Sequence, residues 1–146
     1  MPASGAVTVD AGGREVRVSS PDRVIFPATE NTDPVTKLEV VEYYVAVEDG
    51  IIRALRERPT ALERWPKGVQ PGFVLTTREG KKGDAFYQKR VMKGAPDYVE
   101  TARIQFPSGR HADEICPTEI AVVAWCAQMG TITFHPWPVR DADVDH

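Results

Sequence analysis

Hydrophobic and polar positions alternate at the start of the chain. Val7-Thr8-Val9 and Val16-Arg17-Val18 have a period of two, with Gly12-Gly13 between them, a pattern that predicts a β-hairpin. Val24-Ile25-Phe26 is a short apolar run closed by Pro27, and the polar residues 29–34 read as a loop. The period then changes. Leu38, Val41, Val45, Ile52 and Leu55 recur at helical spacing, with Tyr44 and Ile51 widening the stripe. Thr36 and Glu39 form a capping-box pattern at its start. Gly50 weakens the middle, and Pro59 ends it.

Beyond Pro59 the pattern predicts a strand over residues 60–65, with Leu62 and Trp65 turned to the core. Residues 73–77 and 85–88 are strand-like, separated by the basic, glycine-hinged turn 79–83. Residues 99–106 and 111–115 predict a second hairpin around Ser108-Gly109. Residues 117–129 are apolar on most sides, which predicts a buried helix. Pro117 suits its first turn and Gly130 the position past its end. Residues 131–134 form a last strand, ended by Pro136 and Pro138. Strands and helices interleave with several hairpins. The expected class is α+β, a mixed and largely antiparallel sheet with two main helices. One domain is expected over residues 1–146, with 1–15 and 139–146 the segments open to flexibility.

Composition narrows the function classes. With 146 residues, 42% hydrophobic and 27% charged, the chain has an ordinary globular make-up. No apolar run approaches the roughly 20 residues of a membrane helix, and the N-terminus lacks the pattern of a secretory signal, so cytoplasmic residence is expected. Cys116 and Cys126 are two isolated thiols in apolar surroundings and read as buried free cysteines. The net charge of −3 hides an asymmetry: Arg53 to Arg110 carries 13 Lys and Arg against 6 Asp and Glu. A basic middle could present a positive face to a phosphate backbone; scattered solvated cations would give the same count.

Several residues could carry chemistry. In Phe86-Tyr87-Gln88-Lys89-Arg90 one aromatic of a strand faces out beside cations, a platform for stacking a base, or else an ordinary half-buried pair. His135, before Pro136-Trp137-Pro138, could touch a ligand or bond a carbonyl at a strand end. Lys37 lies in the first turn of the long helix, where unpaired backbone N–H groups and a nearby cation could hold a phosphate. Asp141, Asp143, Asp145 and His146 could ligate a divalent cation, but they lie in a polar terminal tail. The chain has no HExxH, CxxC, nucleophile elbow or dinucleotide fingerprint.

These phrases occur in a particular order. Val18-Ser19-Ser20-Pro21-Asp22-Arg23-Val24-Ile25-Phe26-Pro27 comes first, then Thr36-Lys37, Tyr43-Tyr44, Arg58-Pro59 and Arg64-Trp65-Pro66-Lys67-Gly68. Phe86-Tyr87-Gln88-Lys89, Lys93-Gly94-Ala95-Pro96-Asp97-Tyr98-Val99 and Phe134-His135-Pro136-Trp137 follow. From about Val16 onward the chain resembles the primase-polymerase domain of the bacterial DNA ligase D family, within the archaeo-eukaryotic primase superfamily. It looks most like the small stand-alone actinobacterial members, and it matches the N-terminal part of the domain.

The resemblance implies a role in DNA repair by non-homologous end joining. It implies nucleotidyl transfer by the intact domain with Mn²⁺ or Mg²⁺, association with the nucleoid, and partnership with Ku and ligase. It implies that Arg23 and Lys37 bind the 5′-phosphate of a DNA end, Arg23 standing where lysine is usual. Phe86 and Tyr87 would stack on template, Arg64 and Lys89 would face template or phosphates, and His135 would contact an incoming nucleoside triphosphate. The family's Asp-x-Asp metal pair comes shortly after the His-Pro-Trp segment, and Asp143-x-Asp145 does not match its buried apolar strand. No catalytic or metal-holding residue is therefore expected in this chain, and a dimer or the rest of the domain would cover an exposed face. Two other readings stay open: a non-catalytic module that binds DNA ends, and a degenerate truncated chain.

Overall fold

The computed structural model describes residues 5–65, 68–69, 86–88, 91–105 and 109–136. The opening hairpin forms as its alternation requires. Strand β1 (Val7–Ala11) pairs antiparallel with β2 (Arg14–Val18), Ala11 opposite Arg14. The two residues between are Gly12 and Gly13, with φ of +65° and +95°. A two-residue type I′ hairpin turn has positive φ at both places, and glycine supplies it without strain. Val16 and Val18 are buried.

Strand β3 (Val24–Phe26) pairs with a two-residue β4 (Val35–Thr36), which closes the intervening loop. Only Ile25 of β3 is buried; Val24 and Phe26 alternate onto an exposed face. Helix α1 (Lys37–Ala46) then starts with the expected capping box. Thr36 Oγ1 accepts from the Glu39 N–H at 3.3 Å, and the Glu39 carboxylate accepts from the Thr36 N–H at 2.9 Å.

The single long helix expected from the sequence is two helices. α1 ends at Val47, and α2 (Glu48–Leu55) follows directly. The break does not fall at Gly50, which sits inside α2. It falls where the apolar stripe lapses between Val45 and Ile51. Glu48 and Asp49 lie there in a new first turn, where negative charge favours the positive end of a helix.

The strand expected over residues 73–77 lies outside the described residues; among the described residues a five-stranded antiparallel sheet forms the rest. Its centre is β5 (Thr60–Arg64), flanked by β6 (Phe86–Gln88) and, along its whole length, by β9 (Thr131–Pro136). β8 (His111–Ile115) touches β5 only at Thr60–Ile115 and pairs fully with β7 (Thr101–Gln105). β9 runs two residues beyond the predicted strand, so His135 lies on it.

Helix α3 (Ile120–Gln128) is buried from Ile120 to Ala127 and packs on α1 and β2. It starts three residues after Pro117, which is not in its first turn. Instead the Pro117 carbonyl accepts from the Glu57 N–H at 2.8 Å. Cys116 and Cys126 are buried and neither is in a disulfide, and burial pushes the Cys126 thiol pKa up. Among the described residues no helix is long and apolar enough to cross a membrane.

Candidate functional site

The loop between β2 and β3 is laced to the start of α1 by main chain. The Arg23 N–H donates to Ser20 O at 3.1 Å, the Lys37 N–H to Arg23 O at 2.8 Å, and the Leu38 N–H to Pro21 O at 3.0 Å. With the Glu39 N–H taken by Thr36, the first three amides of α1 are all engaged. The expected free helix terminus is therefore not available to an anion. Its amides are spent on folding the loop, and Ser20 accepts a φ of +48° within that loop.

The side chains supply what the amides do not. Arg23, Lys37 and Arg64 line one pocket of about 190 Å³, together with Ser19, Gln128 and the Met129-Gly130 turn after α3. That volume is below the roughly 300 Å³ at which drug-sized sites begin, so the pocket suits a small group. No carboxylate lines it among the described residues.

Each part of this wall has a structural cause. Lys37 is only 8% exposed. Its Nζ donates to Ser19 O at 2.7 Å and to Ser19 Oγ at 3.2 Å. Burial, and then the charge of Arg23, lower its pKa to about 8. Arg64 ends β5. Its Nε donates to Met129 O at 2.9 Å and its Nη1 to Gln88 Oε1 at 3.2 Å, and burial lowers its pKa. Gln128 reaches back to Ser19: Oε1 accepts from the Ser19 N–H at 2.8 Å, and Nε2 donates to Ser19 Oγ at 3.1 Å.

The entry from β5 into this region depends on a glycine. Gly68 has φ +87°, and a Cβ there would lie 2.7 Å from Val24 O and 2.9 Å from Ile25 O. The Val69 N–H then donates to Ile25 O at 2.6 Å. Gly68 and Val69 thus lie directly on β3, one residue from Arg23.

The structure brings together three of the residues named from the sequence: Arg23, Lys37 and Arg64. β6 stands beside them, with Phe86 opposite Arg64 and Tyr87 opposite Glu63 in register. His135 is not in the pocket. It is exposed and pairs with Ala61, three residues and about 10 Å along β5 from Arg64. Lys89, Asp141, Asp143 and Asp145 lie outside the described residues. Among the described residues no group of three or more His, Cys, Asp or Glu side chains converges to hold a metal ion.

The family model described as the LigD primase-polymerase domain matches residues 36–146. The chain belongs to that family. Among LigD relatives, the multifunctional non-homologous end joining protein LigD of Mycolicibacterium smegmatis is 31% identical over 130 residues, covering 88% of this chain and 15% of that protein. The LigD of Pseudomonas aeruginosa is 31% identical over 150 residues, covering 99% of this chain and 16% of that protein. The solved polymerase domain of Mycobacterium tuberculosis ligase D, in complex with DNA, superposes with a TM-score of 0.68 at 27% identity. That match covers 86% of this chain and 38% of the solved one. The chain thus spans about a sixth of the curated LigD proteins that it matches. Ser19 and Gln128 were not evident beforehand. The one available signal was Gln128 itself, the lone polar side chain in the apolar run of α3.

Proposed function

We propose that the pocket of Arg23, Lys37 and Arg64 holds the 5′-phosphate of a DNA end, within a primase-type polymerase of non-homologous end joining. The observation that carries this reading is the convergence of three cations on a small pocket whose described lining has no carboxylate. Lys37 is buried and Arg64 half-buried; charge held out of water is costly, and the opposite charge of a phosphate would offset that cost. Arg23 offers a planar fork for two phosphate oxygens. Lys37 keeps one N–H beyond the two given to Ser19.

The remaining roles extend from this anchor. Phe86 and Tyr87 stack on template bases, in line with the position of β6 beside Arg64. Lys89 contacts template or phosphate. His135, exposed on β9, meets the incoming nucleoside triphosphate. Nucleotidyl transfer, with Mn²⁺ or Mg²⁺ and in concert with Ku and ligase, belongs to the intact family domain. The solved relative in complex with DNA supports a DNA ligand for the fold.

Fluorescence anisotropy tests the reading. Labelled duplexes with a recessed end, with and without a 5′-phosphate, are titrated in EDTA at fixed salt. The phosphorylated end is expected to bind about tenfold more tightly, without added metal. Equal affinity for the two ends would rule the phosphate pocket out.

A further inference from the structure

We infer that Gln128 is a positioning residue for anion capture: its carboxamide fixes Ser19, and Ser19 fixes the Lys37 ammonium at the pocket wall. The inference rests on the phosphate reading above and adds the device that aims the lysine. The carboxamide spends both ends on one residue, accepting from the Ser19 N–H and donating to Ser19 Oγ. The backbone N–H can only donate, so Oε1 must face it, and this sets the orientation of the amide. Ser19 Oγ then lies between two donors, Gln128 Nε2 and Lys37 Nζ. The Ser19 carbonyl takes a second proton of Nζ at 2.7 Å. An ammonium has three N–H bonds, so one remains for the pocket.

A second anchor comes from the next residue. Met129 O accepts from Arg64 Nε at 2.9 Å. The end of α3 therefore holds two cations of the pocket, Lys37 through Ser19 and Arg64 directly. That end of a helix also carries partial negative charge, which tempers the crowding of positive charge above it. Without Gln128, the Ser19 N–H would lose its acceptor, and the Ser19 carbonyl and hydroxyl that aim Lys37 Nζ would no longer be fixed.

The test compares wild type with Gln128→Leu, which keeps similar bulk and removes both hydrogen bonds. Anisotropy gives the affinity ratio for recessed duplex ends with and without 5′-phosphate. NMR of the Lys37 side-chain nitrogen reports its surroundings in the free protein. The ratio is expected to fall about tenfold, with unphosphorylated-end affinity changed by less than about twofold and the Lys37 signal displaced. A purely structural role would lower Tm and leave the ratio as it was. A folded Gln128→Leu chain with the wild-type ratio overturns the inference. If circular dichroism shows that variant unfolded, Ser19→Ala replaces it, with an expected loss of about threefold; no loss overturns the inference equally. Absence of any phosphate preference in wild type is a different failure: it removes the phosphate reading, and this inference with it.

Discussion

The Lys37 N–H donates to the Arg23 carbonyl at 2.8 Å, so main chain ties together two like charges that face one pocket. Part of the depression of the Lys37 pKa comes from Arg23. Arg23→Ala should therefore do two opposed things. It should raise the Lys37 pKa, read by NMR of the side-chain nitrogen. It should also cut the preference for phosphorylated ends about tenfold, read by anisotropy. Arg23→Lys should keep the charge, lose the fork, and cost only about threefold.

Binding should depend on pH through Lys37. The free lysine titrates near 8, and a bound phosphate, favouring the charged form, raises that value. Below pH 8 the proton is already present. Above it each complex must take up a proton, so affinity falls by up to about tenfold per pH unit. On the acid side the phosphate loses its second charge near pH ~6. The preference should peak at about pH 7–8, as a titration series by anisotropy would show.

Folding stability should move the other way. The Lys37 pKa is lowered to about 8 in the folded chain, against roughly 10.4 when unfolded. The unfolded chain thus binds more protons between these values, and stability rises with pH across that window. Below it the cost of the buried charge is fully present. Lys37→Met should be more stable than wild type at pH 7 by about 1–3 kcal/mol, measured by urea denaturation, while losing phosphate preference.

Two glycines make a controlled pair. Gly94 has φ +79° and open space around a would-be Cβ, so Gly94→Ala should cost only the backbone strain, about 1 kcal/mol. Gly68 has φ +87° and would drive a Cβ to 2.7 Å from Val24 O. Gly68→Ala should cost about 3 kcal/mol or more and weaken phosphate binding by displacing β3. Denaturation curves that matched for the two variants would contradict the packing of Gly68 on β3.

Tyr44 links α1 to β9: its hydroxyl donates to Ile132 O, and its ring meets Phe134 edge-on at a centroid distance of 5.3 Å. Tyr44→Phe keeps the ring contact and leaves the carbonyl without that donor. It should lower stability by about 1 kcal/mol in the same denaturation assay.

Local signals were legible in the sequence. Gly12-Gly13 between alternating valines announced the hairpin, Thr36 with Glu39 the capping box, and the apolar run ending at Gly130 the buried α3. Each is decided within a few residues. The break at Val47 carries no glycine or proline to mark it, and only the charged pair Glu48-Asp49 signals a new first turn. The late start of α3 was missed because Pro117 serves Glu57 instead. Pairing of β9 with β5 is non-local, and no short window reveals it. At the site, the resemblance already joined Arg23 and Lys37 at one phosphate, but only the fold shows that Arg64 lines the same pocket. Gln128 was invisible because its meaning depends on Ser19, far away in the chain.

The lacing of residues 20–23 to the first turn of α1 has a kinetic and a calorimetric consequence. The loop is ordered before any ligand arrives, so no segment of it has to fold on binding. Association with a phosphorylated end should then be fast, steered by charge and sensitive to salt. Its heat-capacity change should be small, since little apolar surface is newly hidden when the phosphate enters a pocket already formed.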